Sequence, residues 1–159
     1  MVQPPAATSE VYAGFWIRIG ATLIDAALLA VIAYPILLSA YGWEYFESES
    51  LIHGPLDFLV SWVFPAIAVI TFWIFKSATP GKMAIGARIV DARTAERPSN
   101  AQFIGRYFAY FVSALPIGLG IVWVGFDARK QGWHDKLAGT VVVRKAGARP
   151  RTATFEGPA

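Results

Sequence analysis

Three stretches of this chain, residues 26–43, 58–75 and 107–126, run for roughly twenty residues each without one Asp, Glu, Lys or Arg. A segment of that length and polarity is at or near what an α-helix needs to cross a bilayer. In hydrocarbon only structures that satisfy their own backbone hydrogen bonds persist. Of the 159 residues, 55% are hydrophobic and only 16% charged, too oily a balance for an ordinary soluble surface. The expected class is therefore an all-α polytopic membrane protein. The N-terminal stretch lacks a basic region and a cleavage site after its first apolar run, which argues against a removable signal peptide.

Charge distribution sets the expected topology. The connection after the first segment holds Glu44, Glu47, Glu49 and Asp57 with no Lys or Arg. The next carries Lys76, Lys82, Arg88, Arg93, Arg97 and Arg106, so the positive-inside rule places it in the cytoplasm. The net charge of +3 is thus better explained by membrane orientation than by nucleic acid, and the anionic leaflet is the expected partner. The third segment is also followed by a basic run, from Arg129 to Arg151. Its centre reads Pro116-Ile117-Gly118-Leu119-Gly120, which breaks a helix. Two half-helices that enter and leave on one side account for both facts, and such an element is expected to be buried rather than lipid-facing. The reading is two transmembrane helices, about 15–43 and 58–76, and a broken, re-entrant third element over 101–126. The run Pro98-Ser99-Asn100 offers an N-cap just before the last of these, with its helix beginning near Ala101. Short β-type runs at 84–90 and 139–143 are expected to pair as a small cytoplasmic sheet. Residues 1–11 read as a flexible tail, 12–145 as one membrane domain and 146–159 as a disordered tail, with both termini in the cytoplasm of a cell, or inner, membrane protein.

Candidate functional residues are ionisable groups in or beside these segments. Arg18 and Asp25 are seven apart, about 700° around a helix, and so share a face. Counted from Phe15, Asp25 lies roughly 15 Å deep, near the midplane, where it needs a partner or a proton. It is read either as a coupling carboxylate or as polar glue beside the small residues Ala26, Ala27 and Ala30. Arg18 and Arg106 are read either as interfacial anchors or as members of one buried network with Asp25. Asp127 and Asp135, in the mixed-charge run after the third segment, could gate an opening or hold a cation. His134 has no partner histidine on its side, so no metal site is expected. Thr79-Pro80-Gly81-Lys82 resembles part of a phosphate loop. However, Lys76 stands in place of the upstream glycine and Met83 in place of Ser or Thr, so no nucleotide or other cofactor is implied.

Arg18 and Asp25, then TPGKMAIGARIVD, then FDARKQGWHDKLAGTVVV, occur in that order from about residue 12 to 144. Together they resemble the RDD family of membrane proteins, named for one arginine and two aspartates. Arg18 and Asp25 match the first two. Asp135 is preferred for the third, with Asp127 as the alternative. Thr79, Pro80, Gly81, Lys82, Gln131, Gly132, His134 and Asp135 are the motif residues. The resemblance implies a membrane fold and an association with transport of small ligands, including sodium/proton exchange, in a mostly uncharacterised family. The expected activity is transport, by an oligomer because two spans and a re-entrant pair cannot enclose a path alone. The alternative is a non-transporting accessory subunit of a larger membrane complex. With no cysteine and no Ser-His pairing, an enzyme is not expected.

Overall fold

The computed structural model describes residues 10–146. Strand β1, Glu10–Tyr12, leads into helix α1, Phe15–Tyr41, which has the length and hydropathy to cross a membrane. A short 3-10 turn, Trp43–Phe46, precedes α2, Pro55–Lys76, the second helix with that capacity. Inside α2 the turn over Leu59–Val63 widens to π geometry. Pro65 follows directly and cannot donate to the carbonyl four residues back, so a local widening absorbs the misfit. Ser77, at φ 53°, ends α2 by turning left-handed and donating its N–H to Trp73.

The chain then packs small elements: α3, Pro80–Ala84, and strand β2, Ala87–Asp91. The expected break in the third apolar segment is present. Helix α4, Asn100–Ala114, and the helical piece α5, Leu119–Gly125, are bent 114° apart. Ser99 caps α4 through a reciprocal box, accepting from the Gln102 N–H while the Gln102 side chain accepts from the Ser99 N–H. Helix α6, Trp133–Ala138, and strand β3, Thr140–Lys145, complete the fold. Strand β2 pairs antiparallel with β3, as the two β-type runs predicted, so both flanks of the bent pair return to one end of the molecule. The sheet has a third strand that the sequence reading left in the tail, because β1 pairs with β3 in the order β1-β3-β2. Residues 10 and 11 therefore belong to the fold. The expectations for residues 1–9 and 147–159 lie outside the described residues.

The packed core sits at this sheet end. Ala13, Trp73, Ala87, Ile89, Phe103 and Val142 are buried there, while only 11% of the apolar window of α1 and 6% of that of α2 are covered. The spans present their side chains outward, as lipid-facing helices do, and the fold is held together mainly beyond their ends.

Two sequence expectations change. The bend was expected to be buried, yet Leu115 is 81% and Ile117 99% exposed in the single chain. The reason is that the broken backbone satisfies itself. Gly118 N–H donates to Ala114, Leu119 N–H to Pro116 and Ile121 N–H to Gly118, with Ile117 and Gly118 both at positive φ. Asp25 is also level with the last turns of α2 rather than with its middle. At the far end, the Asp57 N–H donates to the Tyr41 hydroxyl, so the end of α1 is level with the start of α2. Asp25 lies 16 residues, about 24 Å, from Tyr41, and its partner Thr79 comes just after α2 has ended at Lys76. The first turns of α1 thus protrude beyond the second span into the sheet end.

The bent pair depends on close contact at Gly120, where an added Cβ would stand 2.7 Å from Ser113 Cα. Gly120→Val should lower unfolding stability in detergent by about 1–3 kcal/mol. Gly105→Ala, inside α4 where a Cβ meets nothing within 4 Å, should be neutral or stabilising by up to about 1 kcal/mol. Circular-dichroism melts of the two variants check this contrast.

Candidate functional site

Towards the sheet end of α1, two polar joints form side by side. The first is centred on Asp135, which is fully buried. Its Oδ2 lies 2.5 Å from Arg18 Nη1 and accepts the Gly132 N–H at 3.0 Å, while Oδ1 pairs with Arg106. Arg18 is used in full. Its Nε donates to the Ala13 carbonyl at 2.9 Å and its Nη2 to the Lys130 carbonyl at 2.6 Å. Arg106 is also fully buried, donates to the Thr140 hydroxyl at 2.5 Å, and lies against the faces of Trp73 and Tyr110 at 5.4 and 5.7 Å. One carboxylate thus ties α1, α4, α6 and, through Thr140, β3. His134 stacks on Tyr110 with ring centroids 3.8 Å apart. Gln131 donates to the Thr140 carbonyl at 2.7 Å, and Gly132 has no room for a Cβ, which would stand 2.6 Å from His134 Cε1.

The second joint is centred on Asp25. Its Oδ2 accepts the Thr79 hydroxyl at 2.5 Å and its Oδ1 the Gly81 N–H at 2.7 Å. Thr79 is the residue before α3 and Pro80 starts it without needing a donor. Gly81 is dictated by proximity, because a Cβ there would meet the Ala21 carbonyl at 2.0 Å. The resemblance to a phosphate loop is therefore accounted for by a carboxylate of the chain itself. Lys82, 6% exposed, approaches Thr79 Oγ1 at 3.5 Å.

The structure separates residues that the sequence reading grouped. Arg18 and Asp25 share α1, but Arg18 turns to Asp135 and Asp25 to α3, so Arg18 is not the counter-ion of Asp25. Arg106 joins a buried network, through Asp135 rather than Asp25. Asp127 lies outside both joints, pairing with Lys136 at 2.5 Å and accepting the N–H groups of Arg129 and Gln131, which shapes the loop before α6. At the opposite end, Asp57 was read as an ordinary acidic loop residue. It is buried instead, accepting from Tyr45, Ser61 and the His53 N–H at 3.0, 2.7 and 2.9 Å. Its position two residues after Pro55, in the first turn of a helix, was the available signal.

Electrostatics follow from burial. For Asp135, burial raises the pKa, but Arg106 and Arg18 outweigh it and hold the carboxyl below its ordinary range. For His134, burial and then Arg106 push the imidazole down to about 3, so it is neutral in the folded protein. The Lys136 ammonium holds Asp127 below its ordinary value.

Two cavities meet at the Asp25 joint. One, of about 210 Å³, lies between α1 and α2. The other, about 440 Å³, lies between α1 and the bent pair, walled by Trp73, Tyr107, Tyr110 and Phe111. Asp25, Leu29, Val69 and Thr79 line both and form the partition between them.

Asp135→Asn leaves the buried Arg106 and the half-buried Arg18 without their anion and should cost about 3–5 kcal/mol. Asp127→Asn, on a side chain 13% exposed, should cost about 1 kcal/mol or less in the same unfolding experiment. For His134 the folded pKa is depressed, so stability is present above the unfolded value of 6.5 and lost as pH falls towards about 3. At pH 5 this amounts to about 2 kcal/mol. His134→Phe, which keeps a ring on Tyr110, should flatten the decline in melting temperature between pH 7 and pH 5.

An uncharacterized protein of Rickettsia prowazekii is 31% identical over 171 residues, covering 84% of this chain and 96% of its own. The uncharacterized protein YxaI of Bacillus subtilis is 32% identical over 149 residues, covering 84% and 97%. No solved structure matches the chain. The RDD family profile matches residues 12–139, a span that holds every member of the two polar joints except Thr140, and the chain accordingly belongs to the RDD family.

Proposed function

We propose that this protein is a small proton-coupled membrane carrier that works as an oligomer, with Asp25 as its ionisable centre and the cleft beside it as its ligand site. The observation that carries this reading is the hydrogen-bonded chain from Lys82 to the Thr79 hydroxyl to Asp25, set in the wall that separates two cavities. Protonating Asp25 removes the charge that holds the Gly81 N–H and the start of α3 against α1, so the partition loosens when the carboxylate is neutralised. In this reading the basic sheet end faces the cytoplasm and the acidic loop after α1 faces outward, with the bent pair re-entrant from the sheet end. Several copies are required because two spans and one bent pair do not surround an aqueous path. Sodium/proton exchange is the narrow form of this carrier.

A second reading, an accessory subunit that holds a larger membrane partner, is favoured by the sparse coverage of the two spans. It predicts a stable hetero-complex and no flux.

The two readings part in proteoliposomes containing a trapped pH dye, to which Na⁺, K⁺ or Li⁺ is added in turn. The carrier reading expects a cation-driven proton flux in the wild type that a folded Asp25→Asn protein lacks. Inserted, intact wild type that moves no protons with any of the three removes cation/proton exchange and turns attention to co-purifying partners.

A further inference from the structure

Lys82 is a buried ammonium without an anion. It is 6% exposed, makes no ion pair among the described residues, and has a single long contact, 3.5 Å to a Thr79 hydroxyl that already donates to Asp25. Both nearby carboxylates are committed. Asp25 has one oxygen on the Thr79 hydroxyl and the other on the Gly81 N–H, and Asp135 is held by Arg18, Arg106 and the Gly132 N–H. The groups facing this region are therefore Arg18 and Asp25 from α1, Lys82 from α3, Arg106 and Tyr110 from α4, and His134 and Asp135 from α6. Three of them are cations and two are anions, with His134 neutral. Burial lowers the pKa of Lys82, Tyr110 and Asp25 work against that, and Arg106 and Arg18 reinforce it. A buried cation in that position is costly unless something negative joins it.

The surroundings specify what would join it. Lys82 lines both the aromatic cleft of about 440 Å³ and a small cavity of about 70 Å³ next to it, which Arg18 and His134 also line. Thr22, Tyr110 and Ile121 accompany Lys82 in both, so its side-chain nitrogen stands at the passage between a small recess that Arg18 and His134 also line and a larger, mostly apolar cleft. At ~30 Å³ per water-sized group, the recess of about 70 Å³ has room for about two oxygen-sized groups of an anionic head. The cleft suits a hydrocarbon or aromatic body.

We propose that Lys82 binds the carboxylate or phosphate head of an anionic amphiphile whose apolar part lies along Trp73, Tyr107 and Phe111. This builds on the reading of the cleft as the ligand site and gives that ligand a chemical class. Its charge is opposite to that of a transported cation. The same head chemistry occurs on a bilayer phospholipid and on a free amphiphilic acid.

The test uses the full chain in nanodiscs of phosphatidylcholine, titrated with decanoate, octyl phosphate, inorganic phosphate or decanol while the melting temperature and tryptophan fluorescence are followed. Decanoate and octyl phosphate should stabilise saturably, at concentrations at least about ten-fold below those needed for decanol, the uncharged control. Lys82→Met should erase that preference and Lys82→Arg keep it. Loss of the decanoate response in phosphatidylglycerol nanodiscs assigns the site to lipid, and persistence assigns it to a free amphiphile. A response to inorganic phosphate equal to that of octyl phosphate would show that the apolar cleft contributes nothing, and overturns the amphiphile. Equal responses of the wild type to decanoate and decanol overturn the proposal outright, as does a folded Lys82→Met protein that retains the preference. If Lys82→Met does not fold, the wild-type ratio of decanoate to decanol alone decides. Charge-selective binding without cation-driven flux leaves this inference standing and removes cation/proton exchange, and cation-driven flux without that selectivity does the reverse.

Discussion

One carboxylate, Asp135, decides how the pieces of this protein sit together. Two guanidinium groups from different helices converge on it, and each also reaches a second element, Arg18 the loop at Lys130 and Arg106 the hydroxyl of Thr140. Such a cluster is expensive to bury and tolerates no missing member, so its geometry acts as a register mark more than as a source of net stability. The Asp25 joint sits next to it and is built differently, from a carboxylate, a hydroxyl and a backbone N–H. It needs a glycine because the backbones touch. Together the two joints locate α3, α4 and α6 against the protruding start of α1, and the cavities are the space left between these parts.

The architecture also explains why a membrane protein of this size carries so conspicuous a set of polar motifs. In hydrocarbon the hydrophobic effect does not drive helix to helix, and the two spans here have little of their surface covered. Cohesion comes from the sheet end, where water is available as the competing solvent and apolar groups such as Trp73, Phe103 and Ile89 gain by being buried. The polar motifs are concentrated at that boundary, where they link what spans to what folds.

The sequence made the large elements legible because their signals are one-dimensional: run length for the spans, Pro116 with Gly118 and Gly120 for the break, the run Pro98-Ser99-Asn100 for the cap, and two β-type runs for the sheet core. Strand β1 was not legible, since three residues with no alternation carry no periodic signal and its partner lies at the other end of the chain. The candidate site was legible as a list of residues but not as a set of pairs. Helical spacing puts Arg18 and Asp25 on one helix face, but it cannot say that each meets a different element, Arg18 the one at residue 135 and Asp25 the one at residue 79. Asp127 and Asp135 looked alike in a mixed-charge run, and only packing distinguishes the loop-shaping carboxylate from the buried one. Asp57 shows the converse, a loop acid whose burial depends on Tyr41 and Tyr45 folding back over it.

The sheet order β1-β3-β2 has a consequence for biogenesis. Strand β3 lies in the middle yet is made last, so on a ribosome the N-terminal strand and the early strand β2 both wait for it. Arg18 must wait as well, since the carboxylate it pairs with is 117 residues downstream. The two spans are therefore delivered to the bilayer before the junction that fixes them exists. Throughout that interval α1 holds an unmatched cation near one face, a transient orienting charge that the finished protein then converts into its central link.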